Sequence, residues 1–340
     1  MKVMVTGAGA VLGQGIIKCL RMAPHAYEIV ALDPDPRSVG LYWADRAHLI
    51  PLASDPGYGD AINRVIDQER PDVLLIGTDV ELMYFALQKE RLESSYCVRI
   101  VVSSPDVIQI ADDKWLTYQF LSSNGFPYPD SALPDEQEHL IRRCGFPLIV
   151  KPRVGARSIG VRRVANEQQL REALAAASSP IIQECVSSPE HEYTSGITVV
   201  NGQVMGIVTM RRDLKDGNTH RAYVMPDSPY DEILALIAQR LGGEGVINFQ
   251  FRVAQDVPKI FEINARFSGT TPFRAYAGFN EVDYLVQHFT SGTPIPKPTV
   301  APVVILRYMN EVVIQSGEIQ LLEDFRSIAS RDFAHPFNPS

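Results

Sequence analysis

The chain of 340 residues is long enough for more than one domain and is acidic, with a formal net charge of −8. Hydrophobic residues make up 45% of it and charged residues 21%, as in ordinary globular proteins. The acidic balance argues against nucleic acid as the main partner, and no apolar run approaches the roughly 20 residues of a membrane helix. The N-terminus lacks a signal-peptide pattern, and the four scattered cysteines have no metal-binding spacing. We therefore expect a cytoplasmic protein with free thiols.

Residues 1–111 alternate between short apolar segments and amphipathic ones. The segments "VMVTGAGA", "YEIVALD", "PDVLLIGTD" and "CVRIVVSS" have strand patterns, and helical patterns such as "VLGQGIIKCLRM" separate them. Apolar strands between helices are typical of a parallel sheet that is covered on both faces. The sequence therefore predicts an α/β, Rossmann-like N-terminal domain.

A glycine-rich turn follows the first predicted strand. Gly7, Gly9 and Gly13 lie in "VTGAGAVLG", and Asp33 ends the second strand. This is close to a dinucleotide-binding fingerprint, but its spacing is GxGxxxG rather than GxGxxG. Glycines also make the tightest strand-to-helix corner without any ligand. A turn with no nucleotide is favoured, and an NAD(P)-dependent oxidoreductase is kept as an alternative.

The pattern changes near residue 112. A helix is predicted in "DDKWLTYQFLSSNG", with Asp112 or Asp113 as N-cap and Gly125 as its stop. Alternating strands then dominate, which indicates an α+β domain over residues 112–292. Within it we assign 112–183 to a linker helix and a small lid-bearing subdomain, and 184–292 to a larger antiparallel subdomain. Residues 293–340 read as a Pro-rich connector and a strand.

Polar residues suited to phosphates and cations fall at the ends of several predicted strands. In "PLIVKPRVGARSIGV", Lys151 precedes a loop with Gly155, Ser158 and Gly160, whose backbone N–H groups can close over phosphates. "PIIQECV" ends a strand whose main chain can meet an adenine edge.

Two further strands alternate polar and apolar residues. In "FEINARFSG", Glu262 and Asn264 share one face, and they are oxygen ligands that suit Mg²⁺. A hairpin through "AQDVPK" would bring Gln250 of "GVINFQFRV" near Glu262, and Arg266 could reach a phosphate held there.

Taken together and in this order, these segments resemble the ATP-grasp superfamily, and most closely its carbamoyl-phosphate-synthetase-like branch, which includes carboxylate–amine ligases. The resemblance covers residues 1–292, and "FEINARFSGTTPFRAYAGFN" is its most specific part. It implies that Lys114 and Lys151 contact the ATP phosphates together with the loop around Ser158. The chain departs from the pattern at Arg157, where the family has small residues, and it lacks the additional domains of the full synthetase.

The resemblance also assigns the remaining ligand contacts. It places adenine against Glu184, Cys185 and Val186, and the ribose against Glu192. Two Mg²⁺ ions, or Mn²⁺ in their place, would be held by Gln250, Glu262 and Asn264. Arg266 would neutralise the reacting phosphoryl and acyl groups, so that Arg266 and Lys151 are the catalytic residues.

The implied reaction is a two-step ligation in which ATP phosphorylates a carboxylate and an amine then displaces phosphate. The protein has to align charges and exclude water, the latter with the loop at 153–160 as a lid. Candidate contacts to the small-molecule carboxylate and amine substrates are Arg211, Arg212, Arg221 and Ser268. The resemblance makes a homodimer reasonable. A catalytically silent ATP-binding protein is a further alternative, although it would be expected to have lost part of the Glu262, Asn264 and Arg266 set.

Overall fold

The computed structural model describes residues 1–155, 158–186 and 192–329. The described strands are β1 (Lys2–Val5), β2 (Glu28–Asp33), β3 (Arg46–Leu49), β4 (Val73–Leu75), β5 (Arg99–Val101), β6 (Ser131–Ala132), β7 (Leu148–Pro152), β8 (Arg162–Val164), β9 (Pro180–Glu184), β10 (Glu192–Val200), β11 (Gln203–Lys215), β12 (Asn218–Met225), β13 (Gly245–Ala254), β14 (Val257–Asn264), β15 (Val304–Leu306) and β16 (Ser327–Ala329). The described α-helices are α1 (Val11–Met22), α2 (Val39–Tyr42), α3 (Tyr58–Glu69), α4 (Asp79–Tyr96), α5 (Pro105–Asp112), α6 (Lys114–Ser123), α7 (Gln137–Cys144), α8 (Glu167–Ala176), α9 (Asp231–Leu241), α10 (Thr271–Tyr276), α11 (Glu281–Ser291) and α12 (Ser316–Phe325).

The N-terminal sheet has the strand order β16-β3-β2-β1-β4-β5. Strands β1 to β5 are parallel, and β16 from the C-terminal segment pairs antiparallel to β3. Val3, Met4 and Val5 are completely buried, as the predicted two-sided covering requires. The sequence patterns did not predict β3 or α2, since each has only four residues and too little periodicity to recognise. Helix α5 was also missed.

The large sheet is antiparallel in the order β14-β13-β10-β11-β12-β15. The predicted hairpin between β13 and β14 is confirmed, and Gln250 lies directly opposite Glu262. The chain reverses through Gln255 and Asp256, which both have positive φ, 51° and 60°, as a two-residue type I′ turn requires. A register shift follows Gln250, so that Phe251 pairs with Ile260 and Phe261 is the extra residue of a bulge.

A smaller antiparallel sheet, β6-β9-β7-β8, lies between these two in the sequence. Its apolar face packs on α7 and α8 through a separate core that includes Leu140, Leu148, Val150 and Leu170. Strand β7 ends at Lys151–Pro152, so the lysine lies at the sheet edge next to the glycine-containing loop. The helix that precedes this sheet, α6, is capped by Asp113, whose carboxylate accepts the Trp115 N–H at 2.8 Å.

The C-terminal segment belongs to two sheets. Strand β15 pairs with β12 at the edge of the large sheet, and β16 pairs with β3 in the N-terminal sheet. The sequence predicted one strand in this segment. Among the described helices, none has both the length and the apolar character needed to cross a membrane.

Candidate functional site

A cavity of about 190 Å³ separates the small sheet from the large one. Its walls include nine of the residues selected from the sequence: Lys114, Lys151, Ser158, Glu184, Val186, Glu192, Arg212, Gln250 and Glu262. Apolar side chains form another part of the wall, namely Ile149, Ile159, Val161, Leu214 and Phe261. A cavity with an apolar wall and several charged groups is suited to a ligand with a flat ring and an anionic end.

Lys151 is the most deeply buried cation of this cavity, with 5% of its surface exposed. Its Nζ donates to the Gln183 side-chain oxygen at 2.8 Å and to the Phe261 carbonyl at 3.4 Å. Burial, and secondarily the charge of Lys114, lowers the pKa of Lys151 to about 7. Neither contact supplies a negative charge, so an anion in the cavity would stabilise the protonated lysine.

Lys114 holds the start of the glycine-containing loop. Its Nζ donates to the Gly155 carbonyl at 2.8 Å, and Arg153 forms an ion pair with the helix-capping Asp113 at 2.5 Å. Gly155 has a φ of 142°, and a Cβ there would meet no atom within 4 Å. Ser158 lies on the far side of the loop and lines the cavity. Arg157 and its neighbour Ala156 lie outside the described residues.

The end of β9, which is predicted to contact adenine, is bonded to neighbouring segments of the protein. The Glu184 carboxylate pairs with Lys259 at 2.6 Å and accepts the Asp130 N–H at 3.1 Å. Glu184 and Val186 line the cavity, whereas Cys185 between them does not. The Glu184 carboxylate is therefore occupied by the protein, and only the remaining groups of this segment can meet a ligand.

Two arginines surround Glu192. Arg212 Nη2 lies 2.7 Å from one carboxylate oxygen and Arg252 Nη2 lies 2.8 Å from the other. Burial opposes ionisation of Glu192, but the two arginines overcome it and the pKa lies below its usual value. Arg212 also donates to the Gln250 oxygen at 2.6 Å. Arg212, predicted as a substrate contact, is thus bonded within the cavity wall.

The proposed metal ligands are adjacent, and their chemistry fits Mg²⁺. Glu262 lines the cavity and has no ion-pair partner within 4.0 Å among the residues the structure describes. The Asn264 Nδ2 donates to Glu262 Oε1 at 3.0 Å, while its Oδ1 accepts from Arg266 at 2.9 Å. Carboxylate and amide oxygens are the ligands that Mg²⁺ prefers. Binding through Asn264 would require its amide to turn, and binding through Gln250 would require release from Arg212.

Arg266 lies just past β14 and links the large sheet to the N-terminal domain. Its Nε lies 2.6 Å from Asp79, the first residue of α4, and its Nη2 contacts Asn264. Arg266 and Asn264 do not line the cavity. Asn264 is bonded to Glu262, which does line it, and Arg266 is bonded to Asn264.

Three other predicted contacts lie elsewhere. Because successive strand residues point to opposite faces, Arg211 and Asp213 face away from the cavity that Arg212 lines. Arg221 is opposite Asp213 in register and shares that outer face. Ser268 is buried and bonded to Thr270 at 2.9 Å. The structure does not bring these three residues, Arg211, Arg221 and Ser268, to the cavity, because strand alternation and a local turn direct them away.

The N-terminal glycine-rich turn is bonded to the Asp33 side chain of the same protein. Asp33 Oδ2 accepts the Gly9 N–H at 2.7 Å, and Asp33 Oδ1 accepts the Ser38 hydroxyl at 2.7 Å. A Cβ on Gly13 would lie 2.1 Å from the Gly7 carbonyl oxygen. These glycines allow backbone segments to approach each other, and Asp33 holds the turn rather than facing a ribose.

Three residues with a clear place in the cavity were not selected from the sequence. Arg252 bonds Glu192, Gln183 accepts from Lys151, and Phe261 lies beneath the Lys151 ammonium at 5.3 Å. Arg252 shares a strand face with Gln250, so the alternation could have revealed it. Gln183 and Phe261 gave no signal, since one is an ordinary strand residue and the other is placed by a bulge.

Known families match the part of the chain that builds this cavity. Residues 114–195 match the model for the D-ala D-ala ligase C-terminus, and residues 181–312 match a model described as ATP-grasp in the biosynthetic pathway with Ter operon. The carbamoyl phosphate synthase large chain of Methanoregula boonei is 25% identical over 99% of this chain and 33% of its own length. Residues 181–312 are therefore similar to ATP-grasp proteins, and the chain as a whole is similar to carbamoyl phosphate synthase large chains.

Solved structures show the same fold. The N5-carboxyaminoimidazole synthetase of Staphylococcus aureus, complexed with ADP, aligns with a TM-score of 0.73 and 18% identity over 95% of this chain and 85% of that one. The biotin carboxylase domain of the Hydrogenobacter thermophilus 2-oxoglutarate carboxylase, complexed with MgADP, has a TM-score of 0.66 and 17% identity over 85% and 70%. The chain thus has an ATP-grasp domain preceded by an α/β domain. These similarities support the ligase interpretation over an oxidoreductase that uses the glycine turn.

The chain spans about a third of the length of the carbamoyl phosphate synthase large chains to which it is similar. What those longer proteins do therefore enters here only as part of a proposal.

Proposed function

We propose that this protein is an ATP-dependent ligase that activates a small-molecule carboxylate as an acyl phosphate and joins it to an amine, with release of ADP and phosphate. The observation that carries the proposal is the cavity that Lys151, Lys114 and Glu262 line together beside an apolar wall, where Glu262 forms no ion pair with any described residue. Cations and an oxygen-rich cation site at one end of an apolar cleft suit a magnesium nucleotide.

The proposed roles follow from position. Lys114 and Lys151 bind the phosphates, and protonated Lys151 becomes more stable when it faces them. Mg²⁺, held by Glu262 and Asn264 with Gln250 as a third ligand, would neutralise phosphate charge. Arg266 stabilises the reacting phosphoryl and acyl oxygens, because it lies next to Asn264. The loop at 153–160 excludes water, which would otherwise hydrolyse an acyl phosphate.

The base and ribose occupy the other end of the cavity. The apolar wall accommodates the adenine ring, and the main chain of Glu184, Cys185 and Val186 meets its edge. Glu192 contacts the ribose. Arg212 and Arg252 together donate four N–H groups to its oxygens, which fills the roughly four acceptor sites of a carboxylate, so a ribose hydroxyl would have to replace one of these donors. The two arginines fix the direction of this carboxylate.

The proposal extends to several finer points. The N-terminal domain is proposed to be Rossmann-like, which its strand order supports. A second Mg²⁺ ion is proposed to bind, and Mn²⁺ to replace Mg²⁺. The protein is proposed to form a homodimer. The H. thermophilus biotin carboxylase domain is itself described as a dimer. We place the enzyme in the cytoplasm. Arg212 serves the cavity wall rather than a substrate, and Arg211, Arg221 and Ser268 are not retained as substrate contacts.

Calorimetry tests the nucleotide assignment. The full chain is titrated with AMP-PNP with and without Mg²⁺, and with NADH and NADPH. We expect Mg²⁺-dependent binding of AMP-PNP alone, followed by ADP release from ATP when suitable carboxylates and amines are screened. Binding of NADH without AMP-PNP would overturn the proposal, and AMP-PNP binding without ADP release across the screen would point to a silent ATP-binding protein.

A further inference from the structure

Arg307 directly follows β15, the outer strand that the C-terminal segment adds to the large sheet. Its backbone N–H donates to the His220 carbonyl at 2.9 Å, which extends the pairing of β15 with β12 by one residue. The strand therefore fixes the Cα of Arg307, and its side chain is directed from a rigid element.

The Arg307 guanidinium lies over the turn that follows Arg266. Its Nη2 donates to the Gly269 carbonyl, and its Cζ lies 4.7 Å from the centre of the Phe273 ring. A Cβ on Gly269 would lie 3.9 Å from Arg307 Nη1 and 3.4 Å from a methyl group of Val11. Arg307 thus lies where the glycine turn of the N-terminal domain meets the segment just after Arg266.

The charge of Arg307 has no counterpart in the surrounding protein. Within the described parts of the chain, no carboxylate lies within 4.0 Å of its guanidinium, whereas Arg266, Arg212 and Arg274 all form such pairs. Burial, and secondarily the charge of Arg307, lowers the pKa of Lys18. Burial also lowers the pKa of Arg307 itself. A half-buried guanidinium without a carboxylate partner becomes more stable when an anion binds it.

We propose that Arg307 binds a carboxylate of the small-molecule substrate. This inference rests on the proposed ligase function and identifies a contact that replaces Arg211 and Arg221 as the substrate-anchoring arginine. Gly269 is important to it because a side chain there would begin within 4.0 Å of both terminal nitrogens of the guanidinium, and the glycine leaves that space free of a side chain. The planar guanidinium of Arg307 has five N–H donors and uses Nη2 for the Gly269 carbonyl. Other N–H donors of the same group therefore remain for a carboxylate.

The test uses the full chain saturated with Mg²⁺ and AMP-PNP. Acetate, succinate, L-alanine, L-aspartate and L-glutamate are titrated into it by calorimetry. We expect at least one acid to bind the wild type, Arg307→Gln to weaken that binding tenfold or more, and Arg307→Lys to weaken it less. Arg171→Gln is the matched control, because Arg171 is 69% exposed on α8 and loses the same charge.

The outcomes separate this inference from the function on which it rests. Retained AMP-PNP affinity in Arg307→Gln, within twofold of the wild type, shows that the variant is folded. Equal acid affinity in Arg307→Gln and wild type overturns the inference, and so does the absence of binding by every acid tested. Failure of the wild type to bind AMP-PNP would instead remove the proposed function itself.

Discussion

Two glycine-containing turns follow buried strands in this protein, and they differ in what fills them. After β1, the turn through Gly7 and Gly9 is closed by Asp33, which accepts the Gly9 N–H at 2.7 Å. After β7, a Cβ on Gly155 would meet no atom within 4 Å, and the Gly155 carbonyl accepts a hydrogen bond from Lys114. The first turn donates to a carboxylate of the protein itself, whereas the second borders the cavity that Lys114, Lys151 and Glu262 line.

The difference shows what a glycine motif can and cannot indicate. Gly13 and Gly77 are required because a Cβ would lie 2.1 and 2.2 Å from backbone oxygens of the neighbouring β1 turn. That requirement is one of packing and needs no ligand. A phosphate-binding loop also needs a cation and free donors, and only the loop after β7 has a buried lysine next to it.

The largest effect is expected from removal of the unpaired carboxylate. Glu262→Ala should lower ADP release about 1,000-fold or more, because the charge stabilisation supplied through a bound metal ion is worth several kcal/mol. The Mg²⁺ dependence of AMP-PNP binding, measured by calorimetry, should disappear with it. Glu138→Ala, at an exposed position on α7, is the control. Full activity in Glu262→Ala would show that Glu262 does not bind a metal ion. The proposed functional difference between the two glycine-containing turns would then lose its support.

Glu192 is expected to matter for stability as well as binding. Glu192→Ala removes the buried carboxylate that Arg212 and Arg252 share and should lower the free energy of unfolding by about 3 kcal/mol. Chemical denaturation measures this. The exposed pair Glu138–Arg142 provides the comparison, since Glu138→Ala should cost less than about 1 kcal/mol. Equal costs would mean that the arginines find other partners.

Lys151→Ala should weaken AMP-PNP binding by about 10- to 100-fold, the value of a hydrogen bond to a charged group. Lys297→Ala removes an exposed lysine and should leave the affinity unchanged. Unchanged affinity in Lys151→Ala would show that the loop after β7 is merely a surface turn, like its counterpart after β1.

The same lysine predicts a pH dependence. With its pKa lowered to about 7, free Lys151 is protonated below pH 7 and loses its proton as the pH rises above it. A phosphate stabilises the protonated form, so AMP-PNP affinity should fall between pH 7 and 8.5 and binding should take up a proton. Calorimetry in buffers of different ionisation enthalpy detects the uptake. Lys151→Ala should abolish it, and uptake that persists would assign it to another group.

The smallest effect is expected at the first turn. Asp33→Ala removes the acceptor for the Gly9 N–H and should cost about 1–2 kcal/mol of stability. AMP-PNP affinity should stay the same, and NADH should still not bind. Asp67→Ala at an exposed ion pair is the control for stability. A loss of AMP-PNP affinity in Asp33→Ala would contradict the view that this turn only packs.

Much of the site was predictable from local patterns. The hairpin that brings Gln250 close to Glu262 followed from the alternation of the two strands, but the bulge at Phe261, which places the two residues directly opposite each other, did not. Lys151 was predictable as the end of a buried strand. Strand alternation also excludes Arg211 and Arg221 once Arg212 is known to face the cavity, but the sequence does not say which of the three faces inward.

The sequence by itself determined the alternating elements of the N-terminal domain, the β13–β14 hairpin and the side chains suited to a magnesium nucleotide, because these depend on residues near each other in the chain. Only the tertiary structure decided that Asp33 fills the first turn, that two arginines hold Glu192, and that Arg307 lies over Gly269. Those contacts join segments that are tens of residues apart, so their geometry depends on how sheets pack and not on local periodicity.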